Sequence, residues 1–304
     1  MRVLITGATG TIGLALADAL RARGDQVKAL SRDPERGQRV LGDGVEVHGW
    51  ADPVGEPPPA EALRGVDGVV HLLGEPIAQR WSDDAKQRIR DSRIKSTQQL
   101  VQGLAGLPDG ERPGVLVSQS AVGYYGPRGD APLDEQSPAG HDFLAEIVLA
   151  WERAAGAAPA GMRVVYTRTG VVLSSSGGAL AKMLPFFKLG LGGPVAGGKQ
   201  YVPWIHLADV VGGLICCLDD GAATGPVNLT APHPVTNAEM SRALGHVLGR
   251  PAVVPVPGLA VKLLYGEMAQ IVTGGQRALP ARLNELGYGF RHTEIEAALA
   301  DVLS

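Results

Sequence analysis

The chain opens Met-Arg-Val-Leu-Ile-Thr-Gly-Ala-Thr-Gly-Thr-Ile-Gly, and no other stretch constrains its fold as strongly. The apolar run Val3 to Ile5 ends in three glycines, Gly7, Gly10 and Gly13, and a helical pattern follows through Leu14, Leu16 and Leu20 to Gly24. Strand, glycine turn and helix in that order gather backbone N–H groups and a helix N-terminus at one point, which makes a seat for a pyrophosphate. Gly7 permits the tight turn, Gly10 lets the backbone approach the phosphates, and Gly13 lets the helix pack closely on the strand. The same letters also describe an ordinary strand-to-helix turn. The strand–turn–helix context favours the phosphate reading. Contacts are expected from Gly7, Thr9, Gly10, Thr11, Ile12 and Gly13. The spacing is G-x-x-G-x-x-G rather than G-x-G-x-x-G.

Downstream, apolar runs alternate with helical patterns. Strands are expected at Val3–Ile5, Gln26–Leu30, Val45–Gly49, Gly68–Leu72, Gly114–Ser118 and Arg163–Arg168. Helices are expected at Ile12–Arg23, Asp83–Leu104 and Phe143–Ala155. This alternation implies an α/β fold, a Rossmann doubly wound parallel sheet, with ligands at the carboxyl ends of its strands. A length of 304 residues allows one large domain or two. The expected division is a dinucleotide-binding domain over 1–170, with 205–225 returning to it. Residues 171–204 and 226–304 then form a small, mostly helical carboxyl-terminal cap. Within the cap, Gly177 to Gly198 reads as a glycine-rich lid around a short helix, and Thr236–Leu248, Leu259–Thr273 and Thr293–Leu303 read as helices.

Composition narrows the partners. With 45% hydrophobic and 19% charged residues the chain can bury a sizeable core, which excludes disorder. A formal charge of −3 supplies no basic field for nucleic acid. No apolar run reaches the roughly 20 residues of a membrane helix, and no charged-then-apolar leader precedes the first strand. The expected partner is therefore a small molecule, not nucleic acid or a membrane. Adjacent Cys216 and Cys217 fit neither a disulfide framework nor a zinc site. They read as small core residues of a cytoplasmic, reducing compartment.

Individual positions carry more chemistry. A fold selective for NAD places Asp or Glu at the end of the second strand, to bind the ribose 2′-hydroxyl. Ser31 stands there and Arg32 follows, a pair suited to the 2′-phosphate of NADP(H). Against this, Arg32 can be a solvated loop residue, and neighbouring Asp33 can bind a hydroxyl. The fourth strand ends His71-Leu72-Leu73-Gly74, with small Gly74 keeping the approach to the cofactor open and His71 reading as a core residue. Gly193 to Lys199 resembles a phosphate loop, but Gln200 stands where a magnesium-binding hydroxyl belongs and no strand precedes it. After the fifth strand, Ser120 and Tyr125 are candidates to bind a substrate carbonyl or alcohol, or else belong to a strand-terminal turn. His206, three residues before Asp209, is a candidate proton carrier or a structural residue beneath the lid.

Thr6-Gly7-x-x-Gly10-x-x-Gly13, Ser120 shortly before Tyr125-Gly126, and His206-x-x-Asp209 resemble the extended branch of the short-chain dehydrogenase/reductases. A narrower likeness lies in Gly74-Glu75-Pro76-Ile77, Arg80-Trp81, Ile89-Arg90-Asp91-Ser92-Arg93, Gly190-Leu-Gly-Gly-Pro194 and Trp204-Ile-His206. Ala231-Pro-x-Pro-Val-Thr-Asn-Ala-Glu239 and Gly266-Glu-Met-Ala269 extend it. These runs resemble the epimerase-family group of atypical short-chain dehydrogenase/reductase proteins, which includes chains labelled nucleoside-diphosphate-sugar epimerases. The resemblance implies an NADP(H)-binding protein with its own small carboxyl-terminal domain. It also implies cofactor contacts from Ser31, Arg32, Leu72, Leu73, Arg93 and Val172.

One departure matters. The superfamily's usual catalytic pair is a tyrosine with a lysine four residues later, and no tyrosine here has that partner. Phe143-Leu-Ala-Glu-Ile147 occupies the expected place. Two readings follow: an NADP(H)-dependent oxidoreductase or epimerase-like enzyme with another acid–base group, or a non-catalytic NADP(H)-sensing protein.

Overall fold

The computed structural model describes residues 1–304. β1 (Arg2–Thr6) feeds through the glycine turn into α1 (Thr11–Ala22), and β2 (Gln26–Ser31), α2 (Pro34–Leu41) and β3 (Val45–Gly49) follow. The chain then crosses back to β4 (Gly68–His71), α3 (Asp83–Ala105), β5 (Val115–Ala121), α4 (Phe143–Gly156) and β6 (Arg163–Thr169). β7 (Val171–Leu173), α5 (Gly178–Lys188), β8 (Trp204–His206), α6 (Leu207–Asp219) and β9 (Gly225–Leu229) come next. The cap closes with α7 (Asn237–Val247), α8 (Gly258–Tyr265) and α9 (Ile295–Leu303).

Seven parallel strands form the main sheet, in the order β9-β6-β5-β4-β1-β2-β3. The order in which strands are added reverses between β1 and β4, so a crevice opens at their carboxyl ends. Both faces are covered, as parallel sheets require. Val3 and Ile5 pack toward Leu16 and Leu20 of α1 and Val210 and Leu214 of α6. Leu4 between them joins Leu100 and Leu104 of α3 on the other face. The period-2 alternation of three consecutive apolar residues thus fills two separate cores.

Two strand pairings bear on how the nucleotide-binding sheet and the cap are joined. β9 pairs with β6 along the sheet edge, so the main sheet takes in the chain through Leu229.

 The full register runs from Gly225↔Val165 to Leu229↔Thr169. Pro226 is tolerated because β9 is the edge strand, and a five-residue segment opening Gly-Pro gives little strand signal. β8 does not enter the main sheet; it pairs with β7 through Trp204↔Val171, while α6 behind it packs on the sheet. The helix expected over Leu259–Thr273 is broken at Gly266, whose φ of 61° is left-handed. The cap has its own core, in which Leu180, Leu184, Trp204, Met240, Leu244 and Leu299 meet.

Candidate dinucleotide site and its surroundings

Gly7 has φ +69°, and a Cβ there would lie 3.0 Å from the Leu72 carbonyl carbon. The first turn and the end of β4 therefore touch across the crevice. Gly10 is the N-cap of α1, its N–H donates to the Gly7 carbonyl at 3.0 Å, and no side chain caps the helix. The first-turn N–H groups are left for a ligand. At Gly13 a Cβ would stand 2.4 Å from the Gly7 oxygen, so the helix crosses the turn as closely as only glycine allows.

At the end of β2, Ser31 Oγ donates to the Asp33 carbonyl at 2.8 Å and accepts from the Asp33 N–H at 3.2 Å. The Asp33 carboxylate caps α2 by accepting from Arg36 N–H at 3.0 Å. One of its two oxygens thus serves the helix. Arg32 is exposed, and it lines a cavity of about 510 Å³ with Val54, Gln87, Arg88 and Ser92, alongside the carboxylates of Glu75, Asp84 and Asp91, of which Glu75 faces Arg88 at 3.8 Å. Arg88 carries no signal in the sequence. It lies just before the Ile89–Arg93 run, and nothing in its neighbours' spacing distinguishes it from a solvated helix residue.

Arg93 reaches back from α3 against Gly74, where a Cβ would lie 3.3 Å from its Cζ. Its Nη1 donates to the carbonyls of Glu75 (3.0 Å) and Ile89 (3.1 Å), and its guanidinium lies 5.3 Å from the Trp151 ring. Burial lowers its pKa to about 10. It holds the Gly74–Glu75 turn in place, with Nε and Nη2 making no bond to the protein. Leu72 and Leu73 are half-buried beside it, and Val172 sits in β7, paired with Ile205.

His71 is the core residue expected. Its Nδ1 lies 2.7 Å from Thr6 Oγ1 and its Nε2 3.0 Å from Thr97 Oγ1. Burial drops its pKa to about 3. The unfolded chain, with an ordinary histidine, takes up a proton near pH 6.5 while the folded one does not. Stability from this group is therefore complete above pH 6.5 and declines by about 1.4 kcal/mol per pH unit as pH falls toward 3. Urea unfolding at pH 7 and pH 5 is expected to show this slope in the wild type and a shallower one in His71→Gln. Equal slopes would contradict it.

The three candidate catalytic residues do not converge on an open pocket. Ser120 is buried, and its Oγ donates to Glu152 Oε1 at 2.6 Å. Arg168 forks onto the same carboxylate, Nε to Oε1 at 2.8 Å and Nη2 to Oε2 at 2.9 Å. Tyr125 is fully buried. Its hydroxyl donates to Asn228 Oδ1 at 2.7 Å and accepts from Arg168 Nη1 at 3.1 Å. Burial, only partly countered by Arg168, pushes its pKa up to about 12. Both hydroxyls thus anchor the end of β5 to α4 and β9. Glu135 completes this knot, with Oε1 accepting from the N–H groups of Asn228 (2.9 Å) and Arg282 (3.1 Å).

His206 stands where the structural alternative puts it, bonded to backbone. It is the N-cap of α6, its Nδ1 accepting from Ala208 N–H at 3.1 Å. Its ring stacks on His292 at 3.8 Å, and its Nε2 faces Asp301 Oδ2 at 3.1 Å. It therefore fastens β8 to the carboxyl-terminal helix. His206, His292 and Asp301 lie close enough to suggest a metal site. However, an Nδ1 that accepts leaves the proton on Nε2, the atom a metal would need. Asp209 is the partner of other groups, accepting from Tyr288 Oη (3.0 Å) and from the N–H groups of Arg291 (2.8 Å) and His292 (3.0 Å).

Where the tyrosine–lysine pair is absent, the space is apolar. Phe143 packs on Trp81 at 5.1 Å, and Ile147 is buried with Trp81, Ile89 and Met268. Two side chains at the end of β5 make no hydrogen bond within the protein: the Gln119 amide and the Tyr124 hydroxyl. Tyr124 is half-buried, with the Arg168 guanidinium 3.4 Å from its ring centroid. The cap leans on the site from above. A Cβ at Gly177 would lie 2.8 Å from Thr11 Oγ1, and Lys182 Nζ donates to the Ala78 carbonyl at 2.7 Å.

A parallel sheet with a glycine cradle at its strand-order reversal defines a dinucleotide-binding fold. Residues 3–230 match the NAD dependent epimerase/dehydratase family, and the chain belongs to it. Residues 256–302 match a domain of unknown function, DUF1731. The human epimerase family protein SDR39U1 is 38% identical, covering all of both chains. A chloroplastic SDR39U1 homolog of Arabidopsis thaliana is 40% identical over all of this chain and 87% of its own. The crystal structure of human SDR39U1 with NADPH superposes with a TM-score of 0.89 at 36% identity, covering 99% of each chain. UDP-glucuronic acid 4-epimerase of Bacillus cereus, at 16% identity and a TM-score of 0.78, shares the fold.

Proposed function

We propose that this chain is an NADP(H)-dependent oxidoreductase or epimerase-like enzyme that acts on a small molecule without a tyrosine–lysine pair. The observation that carries this reading is the glycine cradle, where any side chain at Gly7 or Gly13 would strike backbone, in line with the Arg32–Arg88 cavity. The human relative solved with NADPH supports it. Gly7, Gly10 and Gly13 with Thr9, Thr11 and Ile12 would hold the pyrophosphate. Ser31, Arg32 and Arg88 would hold the 2′-phosphate, and Leu72, Leu73, Gly74, Arg93 and Val172 would line the path to the nicotinamide. When bound, the cofactor supplies hydride chemistry, while the protein orients it and excludes water.

Arg32→Ala is expected to erode the preference for NADPH over NADH about tenfold to hundredfold, from the loss of one charge-assisted contact. Fluorescence titration of both cofactors checks this. An unchanged affinity ratio would remove Arg32 from the phosphate site.

For the proton, Tyr124 replaces Tyr125 as the candidate, because its hydroxyl is uncommitted and a cation lies on its ring. Ser120 and Tyr125 become positioning residues. The test is oxidation of bound NADPH across a metabolite library. In a substrate-positive assay, Tyr124→Phe is expected to slow turnover about 10²–10⁴-fold with NADPH affinity preserved. A near-normal rate would exclude it. The apolar Phe143–Ile147 cluster favours a second reading, a non-catalytic NADP(H) sensor. That reading gains if NADPH binds tightly and no library member oxidises it. The free cysteines suit a reducing cytoplasm, and the chloroplastic name belongs to a relative.

A further inference from the structure

The exposed large apolar side chains are unevenly spread. Apart from Met1 and Val40, all fall within Phe186–Leu191 or Val253–Val272. Leu189 is 73% exposed, Val253 76%, Leu259 70% and Leu263 73%. The two stretches are one surface: Val254 N–H donates to the Gly192 carbonyl at 3.2 Å, and Val256 N–H to the Pro194 carbonyl at 2.9 Å. A patch of this kind marks an interaction surface.

The two stretches that carry it hold charge of one sign. Residues 177–200 contain Lys182, Lys188 and Lys199, and residues 240–266 contain Arg242, Arg250 and Lys262, with no Asp or Glu in either stretch. The chain as a whole is at −3. All six cations are exposed. The acids bordering these stretches are occupied: Glu267 pairs with Lys86 at 2.6 Å, and Glu239 caps α7. His246 is paired with Glu296.

We propose that this face docks on an anionic lipid bilayer. Aliphatic side chains enter the acyl boundary, while lysine stems lie along the apolar surface and carry their ammonium groups to the phosphates. A second copy fits poorly, because a two-fold contact would set the cationic rim against itself. Beside its leucines and valines the patch exposes Phe186 and Tyr265, which suit the headgroup boundary. No helix of the chain is long and apolar enough to cross a membrane, so the contact lies on the surface.

The test is flotation of the full-length protein with vesicles of phosphatidylcholine alone and of phosphatidylcholine mixed with phosphatidylserine. The wild type is expected to float with the anionic vesicles only, less so at high salt. Leu259→Asp with Leu263→Asp is expected to abolish flotation. Lys188→Glu and Lys262→Glu are each expected to weaken it about fivefold or more. NADPH affinity and melting temperature, measured on each variant, should stay at wild-type values. A wild type that stays unbound, or leucine variants that float normally, would overturn the proposal. So would light scattering that shows a dimer made monomeric by the leucine variants, which would make the face a protein interface.

Discussion

Glu152→Ala is expected to lower the unfolding free energy by about 3–5 kcal/mol, the usual result of stripping one partner from a buried ion pair. The Arg168 and Glu152 side chains are only 4% and 9% exposed, so water cannot replace what is lost. The guanidinium would keep its contacts with Tyr125 Oη and the Glu135 carbonyl, at 3.1 and 3.2 Å, but lose its only counter-charge. Ser120 Oγ would lose its acceptor as well. Urea unfolding measures the change. Replacing both members, Glu152→Leu with Arg168→Met, is expected to recover part of it, because no uncompensated charge is then buried. A loss below about 1 kcal/mol for Glu152→Ala would rank the pair with exposed ion pairs and dismiss it as an anchor.

The glycines of the first turn separate two effects. In Gly13→Val a Cβ would stand 2.4 Å from the Gly7 oxygen and 2.6 Å from Ala8 Cα, so α1 must move off the turn. Overpacking of this kind costs about 1–3 kcal/mol or more, and the displaced helix should lose NADPH altogether. Gly10 is different. Its φ is −81°, suitable for any residue, and a Cβ there meets only the Gly7 oxygen, at 3.3 Å. Gly10→Val is expected to keep its melting transition and still show no binding heat with NADPH, because the branch stands where the pyrophosphate approaches. Normal NADPH affinity in Gly10→Val would contradict the cradle.

Local patterns made much of this legible in the sequence. The first six strands, the glycine turn and the core role of His71 all depend on near neighbours or on strand order. The rest depends on distant partners. Ser120 and Tyr125 resemble substrate-facing hydroxyls until Glu152 and Asn228, 32 and 103 positions away, are brought to them. His206 resembles a proton carrier until His292 and Asp301 arrive from the far end of the chain. Arg88 gains meaning only when α3 is laid beside the loop after β2. β9 opens on Gly225 and Pro226, which disguise it as a turn.

The late return of β9 governs how the chain can be cut. A fragment ending at Gly170 has the glycine turn and six of the strands, yet it leaves β6 without the neighbour that pairs with Val165 to Thr169. Its unpaired N–H and C=O groups would form an open edge ready to recruit another chain. Asn228 and Arg282, which share the Glu135 carboxylate, would be missing as well. Such a fragment is a template for aggregation, and a workable minimal nucleotide-binding unit has to extend at least through Leu229.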